Sequence, residues 1–479
     1  MNENMSIVMT SIFLIFFSFV ASFTPSILRT VIFFILSNIN KVYYFYIKPK
    51  NILYLTFIIL IIINPFYIYN IGFILSFTIT YFILLFNENN TIKNGIKSIL
   101  VISLLSFLSS LPIIINMSYE VNIISSINNI FFIPFATNIV FPIAIISVII
   151  PDASYILNIL TTIMEYISNI SSKVINITIY FPYFNKILIF FYYLFLILFI
   201  KLNKKKYLFL IFLILLFLKL KFLFDKSTTL YFLDVGQGDS LLIKTKNNKS
   251  IMIDTGGSIK YKREKWEIKN RNFNMEKNII IPFIKSIGVS KIDYLFLTHG
   301  DEDHCGNSKS LIDNFNVRNV YLNKGNINNC EKNTNGIVFD KYYMKIDNIE
   351  IYSLNDNEYN DENSSSMVLL VIIDNYKVLV MGDAPVKVEN EIVKKENLNK
   401  IDFLKVGHHG SNTSSGKEFI NYIKPRYSII SVGKNNKFGH PKESVLNTLS
   451  NSKIYRTDID GTIEIKINNN DYVVKNYSP

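Results

Sequence analysis

Acidic residues are nearly missing from the first half of this 479-residue chain. Up to Asp225 there are six (Glu3, Glu88, Glu120, Asp152, Glu165 and Asp225), and the remaining 31 of the 37 follow. The same stretch holds 14 basic residues, a net +8, and the rest of the chain carries the other +4 of the +12 total. Between the scarce charges lie long apolar runs, among them "MSIVMTSIFLIFFSFVAS", "ILYLTFIILIII", "IGFILSFTITYFILLF", "IKSILVISLLSFLSSLPIII", "KILIFFYYLFLILFI" and "YLFLIFLILLFLKLKFLF". Several reach the roughly 17–25 apolar residues that a bilayer crossing needs, and others are short enough to be tilted or interfacial. A water-soluble fold has no use for so many. No basic stretch precedes the first run and more runs follow it, so it does not read as a cleaved secretory leader. Residues 1–225 are therefore expected to form a polytopic α-helical membrane domain of seven or eight segments.

Asn64-Pro65, Pro112, Asn129 and Pro134 are expected to interrupt these runs. Irregular backbone at membrane depth is tolerated where protein or a water-filled cavity surrounds it. Arg29 and Glu120 lie close to apolar segments, where they suit either the interface or the lining of a conduit. The lysine-rich loop "KLNKKK" (Lys201, Lys204, Lys205 and Lys206) faces Lys219, Lys221 and Lys226 across the last run. Four against three favours a cytoplasmic first loop, which sends everything after Lys226 to the outer face.

After Lys226 the periodicity changes. "TTLYFLDVGQGDSLLIKT" reads as strand, turn, strand, and "SIMIDTGG" as a strand ending at Asp254. "EKNIIIPFIKSIG" reads as a helix leading to the strand "IDYLFLTH". "SSMVLLVII" and "YKVLVMGDA" form a hairpin pattern. "APVKVENEIVKKEN", "KEFINYIK" and "PKESVLNTLS" read as helices, and "IDFLKVGHHG" and "YSIISVG" as strands. Mixed strands and helices with polar residues at strand ends predict an α/β sandwich over 226–479, long enough for one core.

The polar half concentrates its chemistry. "THGDEDH" follows a strand and puts His299, Asp301, Glu302, Asp303 and His304 into one short loop. Taken alone, such a turn is ordinarily just solvated. Asp383 ends the strand in "MGDA", and His408 and His409 end that in "VGHHG". Each pattern is weak by itself. Four of the chain's five histidines in two strand-end turns, with Asp254 and Asp383 at two more, make a shared divalent-cation site the better reading. Imidazole with carboxylate suits Zn, Mn or Fe. The fifth histidine, His440 in "FGHP", is a turn residue or a proton-transfer group. Cys305 and Cys330 are too few for a disulfide framework and lack zinc-ribbon spacing. They are expected to be packing residues. Ile, Asn, Lys, Phe and Tyr abound in both halves, a bias shared by A/T-rich codons, so the lysines alone do not argue for nucleic acid.

These motifs resemble the metallo-β-lactamase superfamily, whose H-x-H-x-D-H signature stands here as "HGDEDH", with Asp301 in place of the second His. With "LDVGQGDS", "IDTGG", "GD" at 382–383, "GHHGS", "KFGHP" and "YRTDIDGTIEI", the resemblance is to the C-terminal domain of ComEC-type competence proteins. "LRT" at 28–30, "NPFYIYNIGFILSF", "LPIII" and "NNIFFIPF" are similar to the competence membrane domain. The resemblance covers nearly the whole chain and implies an αββα metallo-β-lactamase-like sandwich after the membrane domain. It implies two divalent ions, Mn or Zn, held by His299, Asp301, Asp303, His304, Asp383 and one of His408 and His409. Asp254 would orient a ligand from behind, and Asp303 and His440 would serve in catalysis. "NSSS" at 363–366 stands where classical superfamily members place a further His, which weakens the second ion's ligation. The family usually carries extra spans and a small OB-like domain before this region, so the chain is expected to be N-terminally short.

The implied function is transport of single-stranded DNA across the cell membrane in natural transformation. Cation-activated water would hydrolyse phosphodiesters of the non-entering strand outside. The implied partners are DNA (single strand in the channel, duplex outside), the lipid bilayer and other competence proteins, with a homodimer left open. Two alternatives differ in kind: a membrane-anchored phosphodiesterase for envelope esters, and a channel component whose metal domain does no chemistry.

Overall fold

The computed structural model describes residues 3–89, 95–174, 178–257, 274–325, 327–355, 357, 359–469 and 471–477. The chain divides into two units, Met1–Lys219 and Leu220–Pro479.

The first unit is helical. Among the described residues, three of its helices are long and apolar enough to cross a membrane: Ile71–Glu88, Lys97–Ser118 and Ile127–Ile149. At 1.5 Å per residue each covers about 30 Å. Met5–Val20 and Pro49–Ile63 are apolar but shorter. Asn64 behaves as expected: the helix Pro49–Ile63 stops there, and the Asn64 side chain accepts the Phe66 N–H to start a short turn. Pro112, Asn129 and Pro134 do not break their runs but lie inside helices. Pro112 has no N–H for the Leu108 carbonyl one turn back. The Tyr192 hydroxyl supplies the missing donor at 2.7 Å, and Tyr193 serves the Ser109 carbonyl at 3.0 Å. Pro134 is followed by a wider turn, Ala136–Val140, that carries the helix on to Ile149. Glu120 opens a short strand, β1 (Glu120–Asn122), paired antiparallel with β2 (Thr178–Tyr180).

The second unit stacks two sheets. Eight strands come from β3 (Thr228–Phe232), β4 (Leu241–Lys244), β5 (Ser250–Ile253), β6 (Ile292–Phe296), β7 (Val317–Leu322), β8 (Ile337–Val338), β16 (Thr462–Asn468) and β17 (Asp471–Tyr477), in the order β17-β16-β3-β4-β5-β6-β7-β8. The other sheet has seven: β9 (Tyr343–Ile346), β10 (Ile349–Ser353), β11 (Leu369–Ile373), β12 (Tyr376–Val380), β13 (Phe403–Lys405), β14 (Tyr427–Ile430) and β15 (Lys453–Arg456), consecutive from β15 to β9. The expected hairpin is β11–β12.

Alternation along each strand decides which layer a residue joins. Ile251 and Ile253 of β5, Val371 of β11 and Val378 and Val380 of β12 point between the sheets, with Phe296 and Phe403, into one buried core. Their neighbours Leu370, Leu379 and Leu404 point outward under the helices Val386–Lys395 and Lys417–Ile423. On the opposite side Leu242, Met252 and Leu295 meet the segment Glu276–Ser286 and the helix Ser308–Asn314. The result is helix, sheet, sheet, helix: the predicted αββα sandwich. The strands β5–β6 and β12–β13–β14 run parallel, so their carboxyl ends emerge side by side. Those ends carry the polar motifs.

Phe296 is fully buried at the centre of the inter-sheet core. Phe296→Ala should cost about 3–5 kcal/mol. Urea unfolding of the full chain in detergent, followed by circular dichroism of the sheet-rich unit, measures it; an unchanged midpoint would contradict this packing.

Candidate metal centre

The loop after β6 is placed by backbone before side chains enter. Gly238 (φ +131°) lies so close to it that a Cβ there would sit 2.3 Å from the Asp303 carbonyl oxygen, and one on Gly257 would sit 1.8 Å from that of Glu302. Only glycine fits such approaches. The Asp239 N–H then donates to the Asp303 carbonyl, and the Thr255 N–H to that of His304. The glycines of "VGQGDS" and "IDTGG" thus seat the loop that bears the ligands.

Asp254 fixes the first imidazole. Its carboxylate accepts from Thr298 N and Oγ1, both at 2.7 Å, and lies 2.9 Å from His304 Nδ1. That contact turns His304 Nε2 forward, to 3.1 Å from Asp383 Oδ1. His299 Nε2 lies 3.9 Å from Asp383 Oδ2 and 3.6 Å from Asp301 Oδ2. His299, His304 and Asp383 form one buried group whose donor atoms lie within 4.8 Å of one another. Asp301 stands at the mouth, its side chain 46% exposed.

Asp239, His304 and His409 form a second such group. His409 Nε2 is 3.1 Å from Asp303 Oδ2, while its Nδ1 lies 2.9 Å from the Ser431 carbonyl and 3.3 Å from Asp239 Oδ1. His408 Nε2 stands 3.6 Å from Asp383 Oδ2 and His409 Nε2 4.0 Å. Both histidines therefore reach the cluster, His409 from inside and His408 from its rim. His440 is further out, its ring 6.0 Å from that of His408. In "NSSS", the Ser366 hydroxyl accepts the Asp383 N–H at 3.2 Å.

Asp239 and Lys405 were not singled out by sequence. Lys405 Nζ lies 2.6 Å from Asp239 Oδ2, with the two side chains 3% and 5% exposed. A lysine inside the apolar strand "DFLKV" was the available signal, because lysine is almost never fully buried without a partner. The cysteines also depart from expectation. Cys305 packs in the core beneath the helices as anticipated, but it is disulfide-bonded to Cys330, with Cα atoms 6.0 Å apart. The bond joins the ligand-bearing turn Glu302–Cys305 to the segment Asn329–Lys332.

The electrostatics ask for positive charge. Burial would raise the Asp383 carboxyl, yet the His304 and His409 imidazoles hold it well below the usual range. Burial would lower His304, yet Asp383, Asp254 and Asp239 lift it well above its ordinary value. Burial opposes the charging of His409 too, but Asp383 and Asp239 push it up to about 10. His440 goes the other way, down to about 4, through burial and the neighbouring His408 and His409. His299 Nε2, His304 Nε2, Asp383 Oδ1 and Asp239 Oδ1 are all buried and make no well-formed hydrogen bond beyond the ion-pair contacts named above. Orphaned imidazole nitrogens and carboxylate oxygens converging on one space fit a divalent cation.

Comparison with known proteins agrees with this arrangement. Residues 1–206 match the competence protein family and residues 233–325 the metallo-β-lactamase superfamily. The chain thus combines a competence-protein region with a metallo-β-lactamase-superfamily region, the pairing expected from its motifs. It is 26% identical to ComE operon protein 3 of Bacillus subtilis (strain 168), over 93% of this chain and 62% of that protein. It is 32% identical to Recombination protein 2 of Haemophilus influenzae, over 49% of this chain and 28% of that one. For Competence protein ComA of Neisseria gonorrhoeae the figures are 30%, 48% and 31%. The chain thus spans less than two thirds of each of these relatives. Among solved structures, a point mutant of the CmlA β-hydroxylase overlaps 50% of this chain and 54% of its own at 12% identity, with a TM-score of 0.34. A metallo-β-lactamase-superfamily protein of Thermotoga maritima overlaps 44% and 78% at 13% identity, with a TM-score of 0.23.

Because the neighbouring carboxylates raise His304 and His409, favouring their protonated forms, a cation that binds them must displace protons. Mn²⁺ affinity should rise with pH, by about tenfold per pH unit for each proton released. Calorimetric titration of the full chain with Mn²⁺ at several pH values measures this, and a flat profile would refute the ligand set.

Proposed function

We propose that this protein carries one strand of DNA across the cytoplasmic membrane during natural transformation, and that its metal centre hydrolyses phosphodiesters of the strand left outside. Residues 1–225 would be the multi-pass transmembrane domain and residues 226–479 the hydrolase. One observation carries the reading: a buried His/Asp cluster fit for divalent cations shares a chain with a competence-family helical region.

His299, His304 and Asp383, with Asp301 beside them, would hold one cation. Asp303, His409 and His408, close to Asp383, would hold a second. Ions bound there supply Lewis-acid activation of water and neutralise charge on the phosphate. Every remaining task falls to side chains. Asp254 and Thr298 fix the tautomer and direction of His304, and Asp239, tethered by Lys405, does the same for His409. Asp303, at the edge of an open cleft, would take a proton from attacking water. His440, held down to about 4 and so uncharged at neutral pH, would pass that proton on. The net +8 of the first 225 residues suits a polyanion path.

Purified full chain with Mn²⁺ should release nucleotides from end-labelled duplex DNA, and His304→Ala should lower the rate at least a hundredfold. Equal rates in both proteins would reject the site. Hydrolysis of phosphocholine esters with DNA untouched would favour the envelope phosphodiesterase, and no hydrolysis of either the inactive-domain reading.

An outer-face hydrolase domain has its own support. Disulfides persist in oxidising compartments and are rare in the cytosol, and Cys305 is bonded to Cys330. In membranes from cells lysed and denatured in a thiol-reactive maleimide, these cysteines should stay unlabelled until reductant is added. Full labelling without reductant would overturn the outward placement.

A further inference from the structure

A cleft of about 270 Å³ opens beside Asp303, lined by Gly236, Gln237, Gly257, Asn435 and Phe438 among others. One wall is the stretch "GKNNKFGHPK", residues 433–442. It carries Lys434, Lys437 and Lys442, no acid, and a single aromatic other than His440.

This wall is held rather than draped. The Asn436 amide donates to the Gly433 carbonyl at 3.1 Å and to the His440 carbonyl at 2.7 Å, and its oxygen accepts the His440 N–H at 2.9 Å. From across the cleft, Gln237 Oε1 accepts the Gly433 N–H at 3.3 Å. Lys442 Nζ donates to the Phe438 carbonyl at 2.9 Å. On this held loop the Phe438 ring lies parallel to that of His440, centroids 5.9 Å apart and planes 10° from parallel. Yet 48% of Phe438 is exposed. One face leans on His440 and the rest of the ring is left to the cleft.

A lone exposed phenylalanine on a protein surface is unremarkable. This one differs in three respects: it is clamped, it is flanked by lysines, and it borders a cleft that ends at Asp303. An aromatic face among cationic side chains is the combination that binds single-stranded nucleic acid, because every base offers a π-face and every link a phosphate. A duplex interior cannot use it, since its bases are stacked on one another. Only an unpaired base can lie on the ring while its phosphate reaches the cluster.

We propose that Phe438 is the stacking platform for the unpaired terminal base of a DNA strand, so that the centre prefers strand ends to duplex interiors. This rests on the reading of the metal centre as a DNA hydrolase.

The test is binding by the full chain in detergent micelles with Mn²⁺, using a short fluorescent single strand with cleavage-resistant phosphorothioate links. A second strand, abasic at both ends, is the control. Phe438→Ala should raise the Kd for the base-ended strand by about tenfold and leave the abasic-ended strand unchanged, while Phe438→Trp should keep wild-type affinity. Equal weakening on both strands, or none on either, overturns the platform. If wild-type protein binds neither strand, the DNA reading falls as well.

Discussion

Everything in the second unit answers to one constraint: four carboxylates, those of Asp239, Asp254, Asp303 and Asp383, are drawn together where little water reaches. Buried charge of one sign is tolerated only when each group finds a donor or an opposite charge. Asp254 is satisfied by Thr298 and His304, and Asp239 by Lys405. Asp303 and Asp383 are left to the imidazoles of His409 and His304. Positive charge must therefore enter, either as protons on those rings or as divalent cations that displace them. Proton release and metal uptake become one equilibrium, and the same residues that make the site costly when empty make it selective for a doubly charged ion.

The scaffold meets this constraint by dividing the ligands between its sheets. Asp254 and His299 come from the ends of β5 and β6 in the eight-stranded sheet, and Asp383, His408 and His409 from the ends of β12 and β13 in the seven-stranded sheet. No single sheet holds a complete set. The centre exists only when Phe296, Val380 and Phe403 are packed between the layers, so the core that stabilises the unit also registers the ligands. The first unit solves a different problem with the same logic. A proline inside the helix Ile96–Ser118 frees a carbonyl where water is scarce, and Tyr192 on a neighbouring helix supplies the missing hydrogen.

Period and punctuation made the sandwich legible. The strands that carry the site end within a few residues of an aspartate, glycine or histidine, and the hairpin, the flanking helices and the cluster near residue 300 follow from that pattern. What stayed hidden depended on partners far apart in sequence. Asp239 and Lys405 are 166 residues apart, and neither has a local signature that names the other. Cys305 and Cys330 looked too few to matter, since counting cysteines does not measure the distance between them. Pro112 and Pro134 were expected to break helices because sequence shows the lost N–H but not the tyrosine or the wider turn that compensates. Phe438 has no signature of its own in the sequence, for its value lies in the clamp that Asn436 and Gln237 place on its loop.

The pair His408–His409 shows why these motifs resist reading as lists of ligands. Both residues adopt left-handed backbone, at φ +46° and +51°, a conformation that non-glycine residues rarely hold unless their surroundings impose it. The effect is to send two adjacent imidazoles different ways, His409 inward to Ser431 and Asp303, His408 outward to Thr413 and the rim. The imposition is visible. Ser414 Oγ donates back to the Gly407 carbonyl, and the buried Glu389 carboxylate accepts the Ser415 and Gly416 N–H groups at 2.6 and 2.8 Å. Glu389 sits on the helix that directly follows Asp383. The turn that bears one ligand thus anchors the loop that bears two others, and the strained pair keeps its geometry because the rest of the centre holds it there.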